Sequence, residues 1–431
     1  MNKKPKHTQH FFFNFPFGKF AERFIEGLLT LSGGVTSLVI LLIILFLFKE
    51  GAGLFESPSV EKGYTMCVHA ANTVERLTPQ QIKQIYDGEI TEWKVENGKL
   101  QTESEEENLQ VSAFRSLSIT PFRFEEIFSI YSDEELGENY SLLPEKLGEV
   151  IANDSGVIAF LPTQYVPQHN IYVKTLPEEN INITDFFTGK EWLPTAIPSP
   201  QFGVLPLILG TLWVSFFAIL TALPLGLGVA IFLSELASER IRKILKPAIE
   251  LLAGIPSVVY GFFGLVVIVP LIQRFFHLPV GETAFAGSLI LAVMALPTII
   301  TIAEDAIRNT PKTMREASLA VGATHWQTIY RVVVPYASSG ISAAVVLGIG
   351  RAVGETMAVL MVTGNAAVVP HSLFEPVRTI PATIAAELGE APAGGTHYRA
   401  LFMLGCILFL ITMIVSISAE MFNRKQQNKG L

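Results

Sequence analysis

The chain has 431 residues, half of them apolar and only 16% charged, with a mean hydropathy of +0.42, so the bulk of it belongs in lipid. A wholly water-soluble protein is excluded on those figures. The formal net charge of −8 also argues against nucleic acid as a partner.

Residues 1–27 form a tail carrying Lys3, Lys4, Lys6, Lys19 and Arg23. The apolar stretch that follows, 28–48, has the ~20 residues needed to cross the hydrocarbon. It is longer than a signal-peptide core, and KEGAGLF follows it in place of a small-residue cleavage site, so an uncleaved anchor is expected. Five further spans are predicted at 204–234, 248–272, 284–303, 338–363 and 400–422. The tail, the loops after spans two and four, and the C-terminus carry five, four, four and three Lys or Arg, against one and two in the opposite loops. Both termini are therefore expected in the cytoplasm.

Between the first two spans lies a polar block, 57–200, expected outside the membrane as a domain of its own. Residues 49–203 hold 25 Asp and Glu against 11 Lys and Arg, a net of −14, while the remainder nets +6. Such a field gives no help in gathering a free anion, so an anionic substrate needs delivery by something else. The block reads as mixed α/β. It has a strand at TMCVHA, then a helix in LTPQQIKQIYDGEITEW capped by Thr78 with Pro79 in its first turn. An acidic turn (ESEEEN), a strand (LQVSAF), a helix (TPFRFEEIFSIY), a second helix toward Val150 and a strand in NDSGVIAFLP follow. FFTGKEW at 186–192 echoes IYDGEITEW at 85–93, and the shared Gly and Trp predict two helix ends packed by an aromatic. Cys67 in the block and Cys406 in the last span lie in different compartments and form no disulfide or metal framework.

LLAGIPSVVYGFFGL, 251–265, places Gly254 and Pro256 inside the predicted third span. Such a break frees carbonyls that must face protein or water, and it serves as a gate or a kink. In span five, VLGIGRAVGETMAVLMVTGN sets Arg351 and Glu355 four residues apart, hence on one helix face. Charges at that depth cost ~2.5–3.5 kcal/mol on insertion scales and need a reason. Two roles account for them: a mutual ion pair that locks packing, or the lining of a path on which Arg meets a passing anion. Hydrogen phosphate suits the second, because it offers acceptor oxygens to a guanidinium fork and a P–OH donor to a carboxylate, whereas sulfate has no proton to give. Gly348, Gly350 and Gly354 thin the same helix, allowing close helix approach or a kink. TIPATIAAELGEA, 379–391, predicts a short helix on the outer side, with Glu387 and Glu390 toward a docking partner or solvent.

Residues 316–335, EASLAVGATHWQTIYRVVVP, lie in the loop between spans four and five. Pro311 predicts a helix from Lys312, Gly322 a left-handed bend, and His325 to Val334 a second amphipathic helix that Pro335 interrupts. A helix, a bend and a helix make a knob that a cytoplasmic partner can grip.

This spacing resembles the EAA loop of ABC importer permeases: Glu-Ala-Ala, three residues, Gly, nine residues, then Ile-x-Leu-Pro. Here Ser318 replaces the second Ala, and Val332 and Val334 replace Ile and Leu. With GRAVGETMAVLMVTGN, GIPSVVYG, FGVLPLILGTL and TIPATIAAE, residues 202–423 are similar to the phosphate permeases of the PstC type. The resemblance implies an α-helical membrane protein of six transmembrane helices. Its MetI-like core covers 201–423, and a cytoplasmic tail follows at 424–431. Glu316, Ala317, Gly322 and Pro335 would couple to ATPases, and Arg351 and Glu355 would line the substrate path. It further implies a bacterial plasma (inner) membrane complex with a second permease subunit (PstA type), two ATP-binding subunits (PstB type) and an extracytoplasmic phosphate-binding protein (PstS type). Within the outer block, LTPQQIKQIYDGEITEW and SGVIAFLP are similar to periplasmic phosphate-binding proteins, whose Ser-Gly-Thr turn holds the anion at a helix N-terminus. The matching place is Ser118, Ile119 and Thr120, with Arg115 beside it, and Ile stands where the turn uses Gly. No GxxxxGK[ST] phosphate loop occurs, so the chain is expected to be a transporter subunit, not an enzyme, with no cofactor of its own and ATP used by partner chains. A sulfate or molybdate permease, a membrane-anchored receptor and a self-sufficient secondary transporter are the competing readings.

Overall fold

The structure is a computed structural model that describes residues 17–96, 99–100, 117–168, 170–177 and 179–427. The first helix, α1 (Phe17–Ala52), starts inside the predicted tail and presents Leu38 to Leu42 as an exposed apolar surface suited to lipid. Its second half lies against the last helix, where Phe46 meets Phe402 and Phe48 meets Phe409 edge to face.

The outer block is built on a mixed sheet of β1 (Tyr64–His69), β2 (Thr120–Arg123), β3 (Val157–Pro162) and β4 (Val173–Thr175), in the order β2-β3-β1-β4. The β2/β3 pair is parallel, and β1 runs antiparallel to both β3 and β4. Alternation along β1 and β3 sends Met66, Val68, Ile158 and Phe160 into one core. There they meet Ile82 and Ile85 of α2 (Pro79–Tyr86). Cys67, Val157, Ala159 and Leu161 face the opposite core, closed by Leu143, Leu147 and Ile151 of α3 (Leu143–Asn153). The expected cap of α2 forms in full: Thr78 accepts from the Gln81 amide, and Gln81 Oε1 accepts from the Thr78 amide. The helix expected in TPFRFEEIFSIY is cut short. Its first four residues are recruited by β3 as a parallel strand that buries Phe122, leaving only Ile127–Ile130 α-helical. The strand expected at LQVSAF lies outside the described residues.

A third core joins the two parts of the molecule. Phe186, Trp192, Phe202 and Val204 pack with Leu54, Leu207, Ile380, Leu401 and Leu404, so the end of the outer block closes on membrane helices and not on the sheet. Both tryptophans of the FFTGKEW and IYDGEITEW echo are buried, Trp93 in the sheet core and Trp192 in this one.

The membrane part comprises α4 (Leu205–Ile231), α5 (Glu239–Ala253), α6 (Ser257–Phe263), α7 (Val269–Phe276) and α8 (Ala284–Arg308). It continues with α9 (Lys312–Ala320), α10 (His325–Thr328), α11 (Ser338–Val353), α12 (Met357–Val362), α13 (Ile380–Glu387) and α14 (Thr396–Gln427). Among the described residues, five helices are long and apolar enough to cross a membrane: 23–56, 205–236, 257–276, 284–308 and 396–418. A sixth crossing requires the bent pair 325–336 and 338–353, which meet at 70°.

Two predicted spans are corrected. The third does not begin at 248 but at Ser257, because the chain breaks at Gly254–Pro256 and residues before the break form the separate amphipathic helix α5. Across the break the Leu252 carbonyl accepts from the Ile255 amide at 3.2 Å and from Tyr260 Oη at 2.8 Å. The fifth does not run to 363: α11 ends at Val353 and α12 starts anew at Met357. Gly348 does serve close packing, since a Cβ there would meet Ile299 of α8 at 2.8 Å, while the space at Gly350 is open.

Candidate coupling loop and translocation path

The loop between α8 and α11 has the expected form. α9 starts after Pro311, and Gly322 takes φ +86°, a left-handed conformation that a side chain disfavours. Glu316, Ala317, Gly322 and Pro335 are exposed, as a gripping surface needs, and Val321 and Trp326 stand out from the same knob at 85% and 60% exposure. The second arm passes through a single widened turn, Ile329–Val333, ahead of Pro335. Pro335 therefore does not end the arm, and the sharp bend falls at Ala337. Ile329 and Val333 are buried against the spans.

Several anchoring groups escaped the sequence reading. Thr324 caps the second arm by accepting from the Gln327 amide, and Gln327 Oε1 accepts from the Thr324 amide. The T-x-x-Q spacing was the signal for it. Ser318 Oγ lies 3.0 Å from Thr328 Oγ1, so the serine that departs from the Glu-Ala-Ala pattern ties the first arm to the second. Arg315 Nη2 reaches Glu235 Oε1 at 2.8 Å and donates to the Ile307 carbonyl at 2.9 Å. Glu304, 1% exposed, receives Arg242 at 3.4 Å and Lys246 at 3.0 Å, which fixes α5 to the C-terminal end of α8. The signal for these last groups is a charge at the end of an apolar run, which identifies neither partner.

Arg351 and Glu355 do not share a helix face. Arg351 lies in the last turn of α11, half-buried, with Nη1 donating to Thr298 Oγ1 at 3.4 Å. Glu355 lies beyond the break at Gly354, where its Oε1 accepts from the Ala358 amide at the start of α12. Among the described residues no ion pair joins the two, so the helix-locking pair is not formed and most of the five guanidinium N–H donors lack a protein acceptor. An open, mainly apolar groove of about 510 Å³ borders the break, lined by Gly354, Thr356, Pro381, Ile384 and Leu388.

The external anion site is not assembled as expected. Ser118 and Thr120 belong to paired strands and not to a helix N-terminus, and the amides of Ile119 and Thr120 already donate to the carbonyls of Thr91 and Gly156. Backbone N–H groups committed to a sheet are not free for an anion. Arg115 lies outside the described residues. Glu387 faces neither a docking partner nor solvent: it accepts from Trp192 Nε1 at 2.9 Å, lies 2.9 Å from His397 Nε2 and pairs with Arg378 Nη1 at 2.8 Å. Glu390 is exposed.

A family model described as "Binding-protein-dependent transport system inner membrane component" matches residues 222–428. The chain is 44% identical over 230 residues to the probable ABC transporter permease protein YqgH of Bacillus subtilis, covering 53% of this chain and 74% of that protein. It is 42% identical over 265 residues to the phosphate transport system permease protein PstC of Mesorhizobium japonicum, covering 57% of this chain and 80% of that protein. Among solved structures, a chain of the inward-facing MetNI methionine ABC transporter aligns with a TM-score of 0.41 at 19% identity, over 52% of this chain and 97% of that one.

Proposed function

From the chain's membership of the PstC family of phosphate ABC-transporter permeases, we infer how its own residues serve phosphate import. The protein is a membrane permease subunit of an ABC-type phosphate import system and couples translocation to separate ATPase subunits. Permeases of this family typically work with a paired permease, ATPase subunits and a substrate-binding protein. In our reading these are of the PstA, PstB and PstS types, and both termini of this chain face the cytoplasm.

The observation that carries the coupling role is the exposed knob around Glu316, Ala317 and Gly322, set on the ends of buried spans. ATP-driven closure of the ATPase pair pushes this knob, and the spans alternate between outward and inward access. The path role rests on Arg351, whose free N–H donors offer a fork to phosphate oxygens, and on Glu355, which accepts from the P–OH group. The acidic outer block serves as a docking surface for the binding protein, since its amides at Ile119 and Thr120 are engaged in the sheet. Reconstitution of the complete complex in liposomes tests the reading. ATP-dependent phosphate uptake that sulfate does not inhibit is the expected result, and uptake by this chain without ATPase subunits overturns it.

A further inference from the structure

We propose that Arg315 is a positioning residue for transport: it converts displacement of the coupling knob into displacement of the spans, an inference that rests on the transport reading above. Arg315 immediately precedes Glu316 on α9, yet its side chain turns from the exposed face toward the root of the loop and is 22% exposed. There one guanidinium nitrogen contacts two different spans. Nη2 pairs with Glu235 Oε1 at 2.8 Å, at the end of the span 205–236, and donates to the Ile307 carbonyl at 2.9 Å, in the last turn of α8.

The knob has little freedom to absorb a push. Ser318 and Thr328 tie its two arms together, and Val333 anchors the second arm in a core with Ala230, Ala303 and Ile307. A load applied at Glu316 or Trp326 therefore reaches the membrane part through that core and through Arg315. The core is non-directional, whereas Arg315 Nη2 sets an ion pair to one span end and a hydrogen bond to the other. Lysine at this position keeps the charge but replaces the planar guanidinium with a compact ammonium on a flexible stem.

The test uses the complete complex in liposomes, with ATP hydrolysis and phosphate uptake measured on the same vesicles. Arg315→Lys, Arg315→Ala and Glu235→Gln are expected to retain the ATPase subunits on purification and to hydrolyse ATP, while uptake per ATP falls at least about fivefold, the low end of measured site-to-site coupling. The swap Arg315→Glu with Glu235→Arg is expected to recover part of that ratio, which a merely structural loss would not do. Should Arg315→Ala fail to fold, the nearly isosteric Glu235→Gln carries the test. Wild-type uptake per ATP in the single variants, or a fall in uptake no larger than the fall in hydrolysis, overturns the inference alone. A wild-type complex that moves no phosphate overturns the transport reading.

Discussion

The indole N–H of Trp192, at the end of the outer block, donates to Glu387 Oε2 at 2.9 Å, so a carboxylate on α13 holds the block against the membrane part. The same carboxylate receives His397 on α14 and Arg378 from the preceding loop. Glu387→Gln keeps the shape but loses the charge, and is expected to destabilise this junction by about 2 kcal/mol, the scale of a charged hydrogen bond. Proteolysis between the block and α4 is expected to accelerate in that variant.

The junction is also expected to be acid-labile. Burial alone pushes the Glu387 carboxyl up, but the hydrogen bonds from His397 and Trp192 and the charge of Arg378 outweigh it and hold the carboxyl below the usual glutamate value of 4.5. The contact thus contributes its full stability above the unfolded carboxyl's value and loses it as the pH falls through the lower folded value. Tryptophan fluorescence is expected to show a transition below about pH 4.5 that Glu387→Gln lacks.

Selectivity is expected to reside at Glu355. Removing its charge in Glu355→Gln weakens acceptance from a P–OH group, and the preference for phosphate over sulfate is expected to fall about tenfold, the factor that ~1.4 kcal/mol represents. Competition of labelled phosphate uptake by sulfate measures it. An unchanged preference removes Glu355 from the path.

Two glycines on one helix are expected to respond oppositely. Gly348→Val drives a side chain into Ile299 and is expected to cost about 1–3 kcal/mol, as overpacking does. Gly350→Ala meets open space in a helix and is expected to raise the thermal stability of the purified protein, by up to ~1 kcal/mol.

Cys67 is expected to be inert in the native protein. Its side chain is fully buried in the sheet core, and burial pushes the thiol up to about 12, so almost no thiolate exists at neutral pH. A maleimide is expected to label it only after unfolding.

What could be read in advance divides along a physical line. Pro311 and Gly322 act on their own backbone, so the coupling knob was legible from a few adjacent residues. The same holds for the Thr78 cap and for the strands β1 and β3. Arg351 and Glu355 were misplaced because residue spacing assumes a continuous helix, and although the glycines allowed a kink, no proline fixed its place at Gly354. Thr120–Arg123 became a strand because β3 recruited it, a tertiary effect that local propensity does not contain. Glu304 and Glu387 each have partners on other elements, and no spacing rule along one segment connects them.

The 70° angle between 325–336 and 338–353 makes these helices the two limbs of an elbow. In the coupling proposed above, thrust along the short limb arrives at the long one as torque. From Ser338 to Arg351 the long limb measures ~20 Å at 1.5 Å per residue, so a rotation of about 5° at the elbow swings the arginine by ~1.7 Å. That is more than half the length of a hydrogen bond, enough to make or release a grip on an anion with hardly any deformation of the crank itself.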